Sequence, residues 1–137
     1  DDMQELMDTP GGRACATNQI LYNPEERGTE FDLLPWMRRE GMPVMAYSPV
    51  GQGGHLLRHR ALVRVGERHG VSPAQVALAW ALQQGFSVIP SSTRRENLAS
   101  NLEAAAIRLT DEDMGQIAKL DRGHRLANPE GIAPAWD

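Results

Sequence analysis

The sequence predicts an α/β fold built on a parallel sheet, and three observations carry that prediction. Short apolar stretches that read as strands alternate with longer stretches carrying helix-start and helix-stop residues. The middle strand candidate, 42–48 (MPVMAYS), is apolar at both parities, as expected of a parallel strand covered on both faces. One helix candidate, 73–83, is apolar almost all round, so it must sit inside the molecule.

Taken in order, the first helix starts from a cap at Asp1 or Asp2 and runs to about Asp8. A chain that opens on a helix cap, without an initiator Met, is expected to be truncated or processed. Residues 15–22 (CATNQILY) form the first strand candidate, followed by a polar loop from Asn23 to Gly28. Thr29, with Asp32 three residues later, predicts a capped helix that buries Phe31, Leu34 and Trp36 and stops at Gly41. After the second strand comes a Gly-rich loop, Pro49 to Gly54, then a helix from about Ala61 to Gly70.

Ser72-Pro73-Ala74-Gln75 combines a serine cap, a proline in the first helical position and a glutamine three after the cap. It opens the apolar helix, which Gly85 ends. Ser87-Val88-Ile89-Pro90 is the third strand. Thr93-Arg94-Arg95-Glu96 is expected to cap the next helix, and Thr110-Asp111-Glu112-Asp113 the last, which should run to about Gly123. The pattern alone is compatible with a complete small open sheet and with half of a barrel, since a closed (β/α)8 barrel takes roughly 250 residues.

The composition sets the function classes. With 41% hydrophobic and 23% charged residues, the 137-residue chain is an ordinary globular protein with enough length for a core. A formal net charge of -4 argues against nucleic acid or an anionic membrane as partner. Cys15 is the single cysteine, so no internal disulfide can form, and no apolar run reaches the roughly 20 residues of a membrane span. The expected location is the cytoplasm.

In parallel α/β folds, ligands bind beyond the carboxyl ends of the strands. The first end here holds Asn18, Gln19 and Tyr22. The second runs from Tyr47-Ser48-Pro49-Val50-Gly51 into Gln52-Gly53-Gly54, where glycines permit close backbone approach and Tyr47 could stack on a planar ring or simply pack. The third is Pro90-Ser91-Ser92-Thr93-Arg94-Arg95. There a helix begins with free N–H groups and two arginines in its first turn, an arrangement that suits a phosphate; Ser92 and Thr93 acting only as caps is the structural alternative. His55, His59, His69 and His124 have no metal-ligand spacing, and Asp111 with Asp113 reads as first-turn acids rather than a catalytic pair. No Ser/His/Asp arrangement can be assembled.

Asn18-Gln19, Ala46-Tyr47-Ser48-Pro49, Val88-Ile89-Pro90-Ser91-Ser92, Glu96-Asn97-Leu98 and Asn101-Leu102, together with Ser72-Pro73-Ala74-Gln75-Val76 and Leu109-Thr110-Asp111-Glu112-Asp113-Met114, resemble the aldo-keto reductases in order and spacing. The tail, from Arg125-Leu126 through Pro129-Glu130-Gly131 to Trp136-Asp137, resembles that of bacterial 2,5-diketogluconate and methylglyoxal-type reductases.

The resemblance implies the C-terminal part of a (β/α)8 TIM barrel, its last three strands with their helices, with residues 123–137 as a C-terminal tail. It implies an NADP(H)-dependent oxidoreductase acting on small aldehyde and ketone carbonyls. By the same resemblance Gln19 hydrogen-bonds the nicotinamide carboxamide and Tyr47 stacks on its ring, while Ser48, Pro49, Val50 and Gly51 lie along the pyrophosphate. Pro90, Ser91, Ser92, Thr93 and Arg94 surround the adenosine 2′-phosphate, and Ser100 and Asn101 contact the adenine. Where the family usually has Lys and Arg at that phosphate, Ser91 and Asn97 stand here, with Arg94 and Arg95 as the available substitutes. Its frequent His after the first of these strands is Asn23.

None of the residues matches the family's catalytic Asp, Tyr, Lys and His, so this chain alone is expected to be inactive. It should need its N-terminal half or self-association to cover its exposed edges. A non-catalytic nucleotide-binding module and a purely structural half-barrel are the competing classes.

Overall fold

A computed structural model describes residues 2–121 and 123 of the chain. The element order is α1 (Asp2–Asp8), β1 (Asn18–Leu21), α2 (Leu33–Glu40), β2 (Val44–Tyr47), α3 (Arg60–His69), α4 (Pro73–Gln83), β3 (Ser87–Val88), α5 (Arg95–Glu103) and α6 (Asp111–Ala118), joined by loops that include short 3-10 turns. The three strands form one parallel sheet in the order β1-β2-β3, with Gln19 opposite Met45, Leu21 opposite Tyr47, and Met45 opposite Ser87.

Strand periodicity divides the sheet into two faces. Ile20, Val44 and Ala46 are buried in the core together with Leu34 and Met37 of α2, Leu62 and Val65 of α3, and Val76 and Trp80 of α4. Gln19, Leu21, Met45 and Tyr47 have the opposite parity and keep partial or full exposure. Among the described residues, therefore, β2 is packed by helices on one face, where its composition predicts two.

The helix α4 behaves as its sequence requires. Every residue from Gln75 to Ala81 is buried, and Ser72 and Gln75 form the reciprocal capping box. Trp80 stacks on Tyr22 at 5.2 Å between ring centroids, and Phe86 meets Tyr22 edge-on at 4.9 Å. Gly66 of α3 permits the tight passage into α4, since a Cβ there would lie 2.6 Å from the Val71 carbonyl oxygen.

Several expected boundaries shift. Thr29 caps no helix: residues 28–30 make a 3-10 turn, α2 begins at Leu33, and the Thr29 hydroxyl is buried without a partner. Beside it, the Glu30 carboxylate accepts from the Tyr22 hydroxyl and from the Arg27 guanidinium at 2.7 Å. Phe31, expected in the core, is 76% exposed, whereas Leu34 is buried as expected. At α5 the side-chain bond belongs to Ser92, whose Oγ accepts the Arg94 N–H at 3.1 Å; Thr93 is not the cap. β3 pairs only over Ser87–Val88, with one further bond from Ile89 N–H to the Ala46 carbonyl, and Pro90 has no N–H to continue. α6 ends at Ala118, short of Gly123. Asp1 and the tail beyond Gly123 lie outside the described residues.

The cap of α6 doubles as an ionic anchor to α3. Asp113 is buried, and its carboxylate accepts from the Thr110 N–H and hydroxyl at 2.9 and 2.8 Å, from His69 at 2.8 Å, and from Arg68. Burial alone would push this carboxyl up. The bonds from His69 and Thr110 and the Arg68 charge outweigh it and hold Asp113 below the usual carboxylate range.

Asp113→Ala should therefore cost about 2–4 kcal/mol, read as a lower urea midpoint. A carboxyl depressed in the folded state stabilises fully above about pH 4, and this contribution fades as the pH falls through its folded value. The gap between the two proteins should accordingly be widest near neutrality and narrow in acid. Gly66→Ala should cost about 1–3 kcal/mol in the same measurement, because a backbone carbonyl would have to move.

Candidate functional site

The carboxyl ends of β2 and β3 open into a cavity of about 650 Å3. Its walls come from three segments distant in sequence. Ser48, Pro49 and Val50 follow β2; Pro90, Ser91 and Ser92 follow β3; Ser100 and Asn101 present one side of α5. Tertiary folding thus brings eight of the residues singled out in the sequence around one space.

The other five stand apart from it. Gln19 and Tyr47 belong to the sheet face opposite the buried core, where parity puts them on the same side. Gly51 lies in the turn behind the lining, with φ of 58°, and a Cβ there would come within 3.0 Å of Leu56. Thr93 and Arg94 are exposed at the mouth of α5, where the Arg94 Nε lies 3.8 Å from Glu96.

Gln52 and Gly53 of the Gly-rich loop after β2 also contribute walls, as do Leu57, Ser72, Ala74 and Ile89, which were not read as ligand positions. Ser72 and Ala74 carry a clear helix-start signal, and that signal says nothing of the cavity beside it. Asn97 lines the cavity as well, together with Ser91.

The lining is small and mostly neutral, and backbone geometry shapes it. Ser48 and Gln52 have φ of 49° and 57°, in the left-handed region that side chains disfavour. Such residues persist only where their surroundings hold them. On the far wall, Gln75 secures α5: its Nε2 donates to the Ser100 carbonyl at 3.0 Å and to Glu103 at 3.2 Å.

Tyr22 is not part of the site. It follows β1 on the helix-covered side, fully buried, with its hydroxyl donating to Glu30 and lying 3.1 Å from the Gln84 amide oxygen. Burial first, then the Glu30 carboxylate, push this hydroxyl well above the ordinary tyrosine value, the opposite of what a proton donor near neutrality requires. Among the described residues no three His, Cys, Asp or Glu side chains converge as a metal site, and no helix is long and apolar enough to cross a membrane.

Comparison with known proteins assigns the scaffold. A model of the Aldo/keto reductase family matches residues 1–122. Methylglyoxal reductase DkgB of Salmonella typhi is 42% identical over 135 residues, covering 98% of this chain and 49% of that protein. Methylglyoxal reductase YeaE of Escherichia coli (strain K12) is 41% identical over 123 residues, covering 86% of this chain and 43% of its own length. The chain therefore spans about half the length of the curated relatives it matches.

Among solved structures, an aldo-keto reductase from Klebsiella pneumoniae in complex with NADPH superposes with a TM-score of 0.82 at 39% identity, over 87% of this chain and 44% of that one. A point mutant of Gox0644, also in complex with NADPH, gives a TM-score of 0.72 at 31% identity, over 78% and 38% of the two chains. A parallel sheet with this helix order, a cavity at its carboxyl edge and these likenesses lead to one assignment: the chain belongs to the aldo/keto reductase family.

Proposed function

We infer that this chain is the C-terminal part of a (β/α)8 barrel, its last three strands with their helices, in a reductase that uses NADPH to convert aldehyde or ketone carbonyls to alcohols. The observation that carries this reading is the convergence of the β2 end, the β3 end and α5 on one cavity. Relatives that span about twice this length are named methylglyoxal reductases, and two structural neighbours were crystallised with NADPH.

The residues fit such a cofactor. The walls are short side chains and turns, which let a long, polar dinucleotide lie close to the backbone. In this reading Ser48, Pro49, Val50 and Gly51 follow the pyrophosphate. Pro90, Ser91, Ser92, Thr93 and Arg94 surround the 2′-phosphate at the start of α5, and Arg94 reaches it from outside the cavity. Ser100 and Asn101 meet the adenine across from them. Gln19 and Tyr47, sharing a sheet face, hold the nicotinamide by its carboxamide and by stacking. NADPH, when bound, supplies the hydride for the carbonyl carbon.

This chain's part is to bind and orient. Among the described residues the buried Tyr22 is pushed above the ordinary tyrosine value, away from general-acid work, and by the resemblance no residue of the sequence matches the family's catalytic Asp, Tyr, Lys and His. The proton for the product alkoxide comes from the rest of the barrel, which also covers the exposed sheet face and supplies most of the carbonyl pocket. The chain alone binds cofactor without oxidising it.

A fluorescence titration with NADPH and NADH, followed by a reactive aldehyde, tests this. Saturable NADPH binding, weaker NADH binding and no oxidation by the isolated chain are expected; steady oxidation would refute the division of labour. In the full-length parent, Ser92→Asp should weaken NADPH at least about tenfold through charge repulsion at the 2′-phosphate and leave NADH nearly unchanged. Equal loss for both would remove the 2′-phosphate assignment.

A further inference from the structure

The geometry points to Asn23 as a positioning residue that holds the cavity loop after β2 in its binding conformation. The proposal rests on the cofactor reading above. Asn23 lines no part of the cavity, so it acts through Ser48.

Ser48 is the first residue beyond β2, with φ of 49°. A non-glycine residue there carries a conformational cost, so something outside the turn must hold it. Its carbonyl oxygen accepts two hydrogen bonds. One, from the Gly51 N–H at 3.0 Å, is internal to the turn. The other comes from Asn23 Nδ2 at 3.1 Å, across from the loop after the neighbouring strand.

Asn23 is well placed to impose a position rather than follow one. It is 1% exposed. Its Oδ1 accepts the N–H groups of Glu25 and Glu26 at 3.0 and 3.1 Å, and its backbone exchanges two bonds with Glu26 at 3.3 and 3.1 Å. With the amide oxygen committed to two donors, the nitrogen can only face the Ser48 carbonyl. The turn that fixes Asn23 is joined to the cavity loop a second time, where His55 Nδ1 lies 3.0 Å from Glu25. The rigid turn 23–26 thus grips the segment 48–55 at both ends, and Ser48, Pro49, Val50, Gln52 and Gly53 of that segment form the β2 wall of the cavity.

The binding energy controlled by Asn23 should therefore be that of the β2 wall, facing the pyrophosphate, and not that of the α5 wall. Asn23→Asp is the informative change. It keeps the acceptor for the two N–H groups and turns the donor into an oxygen facing the Ser48 carbonyl.

In the full-length parent, Asn23→Asp should raise the NADPH dissociation constant about tenfold, the scale of one buried hydrogen bond. The affinity for adenosine 2′-monophosphate, which lacks the pyrophosphate, should stay unchanged. In a Ser48→Gly background, where glycine takes the left-handed conformation without cost, the same substitution should lose most of its effect, a coupling that general destabilisation would not produce. Unaltered NADPH affinity, equal weakening of both ligands, or the same penalty in both backgrounds would overturn the proposal. Failure of the unmutated parent to bind NADPH would overturn the cofactor reading, and this inference with it.

Discussion

A helix with no polar face has to be surrounded, and the molecule is organised around meeting that demand for α4. Residues Gln75 to Ala81 are buried, and the elements on every side are joined to it. Phe86 and β3 follow directly from its C-terminus. Gln75 at its start binds the backbone of α5, and Gln83 at its end exchanges two hydrogen bonds with the backbone of Leu109, at 2.9 and 3.0 Å, just before α6. Trp80 in the middle stacks on Tyr22, locking the end of β1 to the helical layer. The apolar surface drives the burial, and the polar residues at the two ends of the helix choose its neighbours.

Charged groups drawn into this core are paired rather than excluded. Glu30 is pushed up by burial, yet the bonds from Arg27 and Tyr22 outweigh that and hold it below the usual carboxylate range. The Arg27 guanidinium is stabilised in its charged form chiefly by Glu30, lies 5.6 Å from the Trp80 ring centroid, and donates to the Ala118 carbonyl at 2.8 Å. A single arginine thus joins the loop after β1 to the end of α6. Asp113 does the equivalent between α6 and α3. None of these paired residues lines the cavity.

The cavity follows from parallel topology. Strands that run the same way release their loops at one edge, and helices begin there with unpaired N–H groups. The β2 loop and the start of α5 meet because β2 and β3 are adjacent in the sheet, although some forty residues apart in sequence. Turn conformation then shapes the surface, with Gly51 and Ser48 at positive φ and the turn at Asn23 bracing them.

Local signals determined much of this protein by themselves. The Ser72–Gln75 and Thr110–Asp113 capping boxes, the apolar helix and the order of strands are short-range features, legible because each depends on residues within about one turn of one another. The ends of β2 and β3 were readable as neighbours at one edge of the sheet, and both line the cavity, whereas the end of β1 does not. What stood in the sequence without declaring itself was decided by partners far along the chain. The Thr29 cap stayed unformed and Phe31 lies exposed, while the neighbouring Glu30 carboxylate is bound by Tyr22 and Arg27. Ser72, Ala74 and Leu57 became cavity walls only once α4 was packed beside the β2 loop. Asn23 reads in the sequence only as a replacement for the family's frequent His, and its bond to the Ser48 carbonyl stays hidden, because a hydrogen bond spanning 25 positions has no local pattern to announce it.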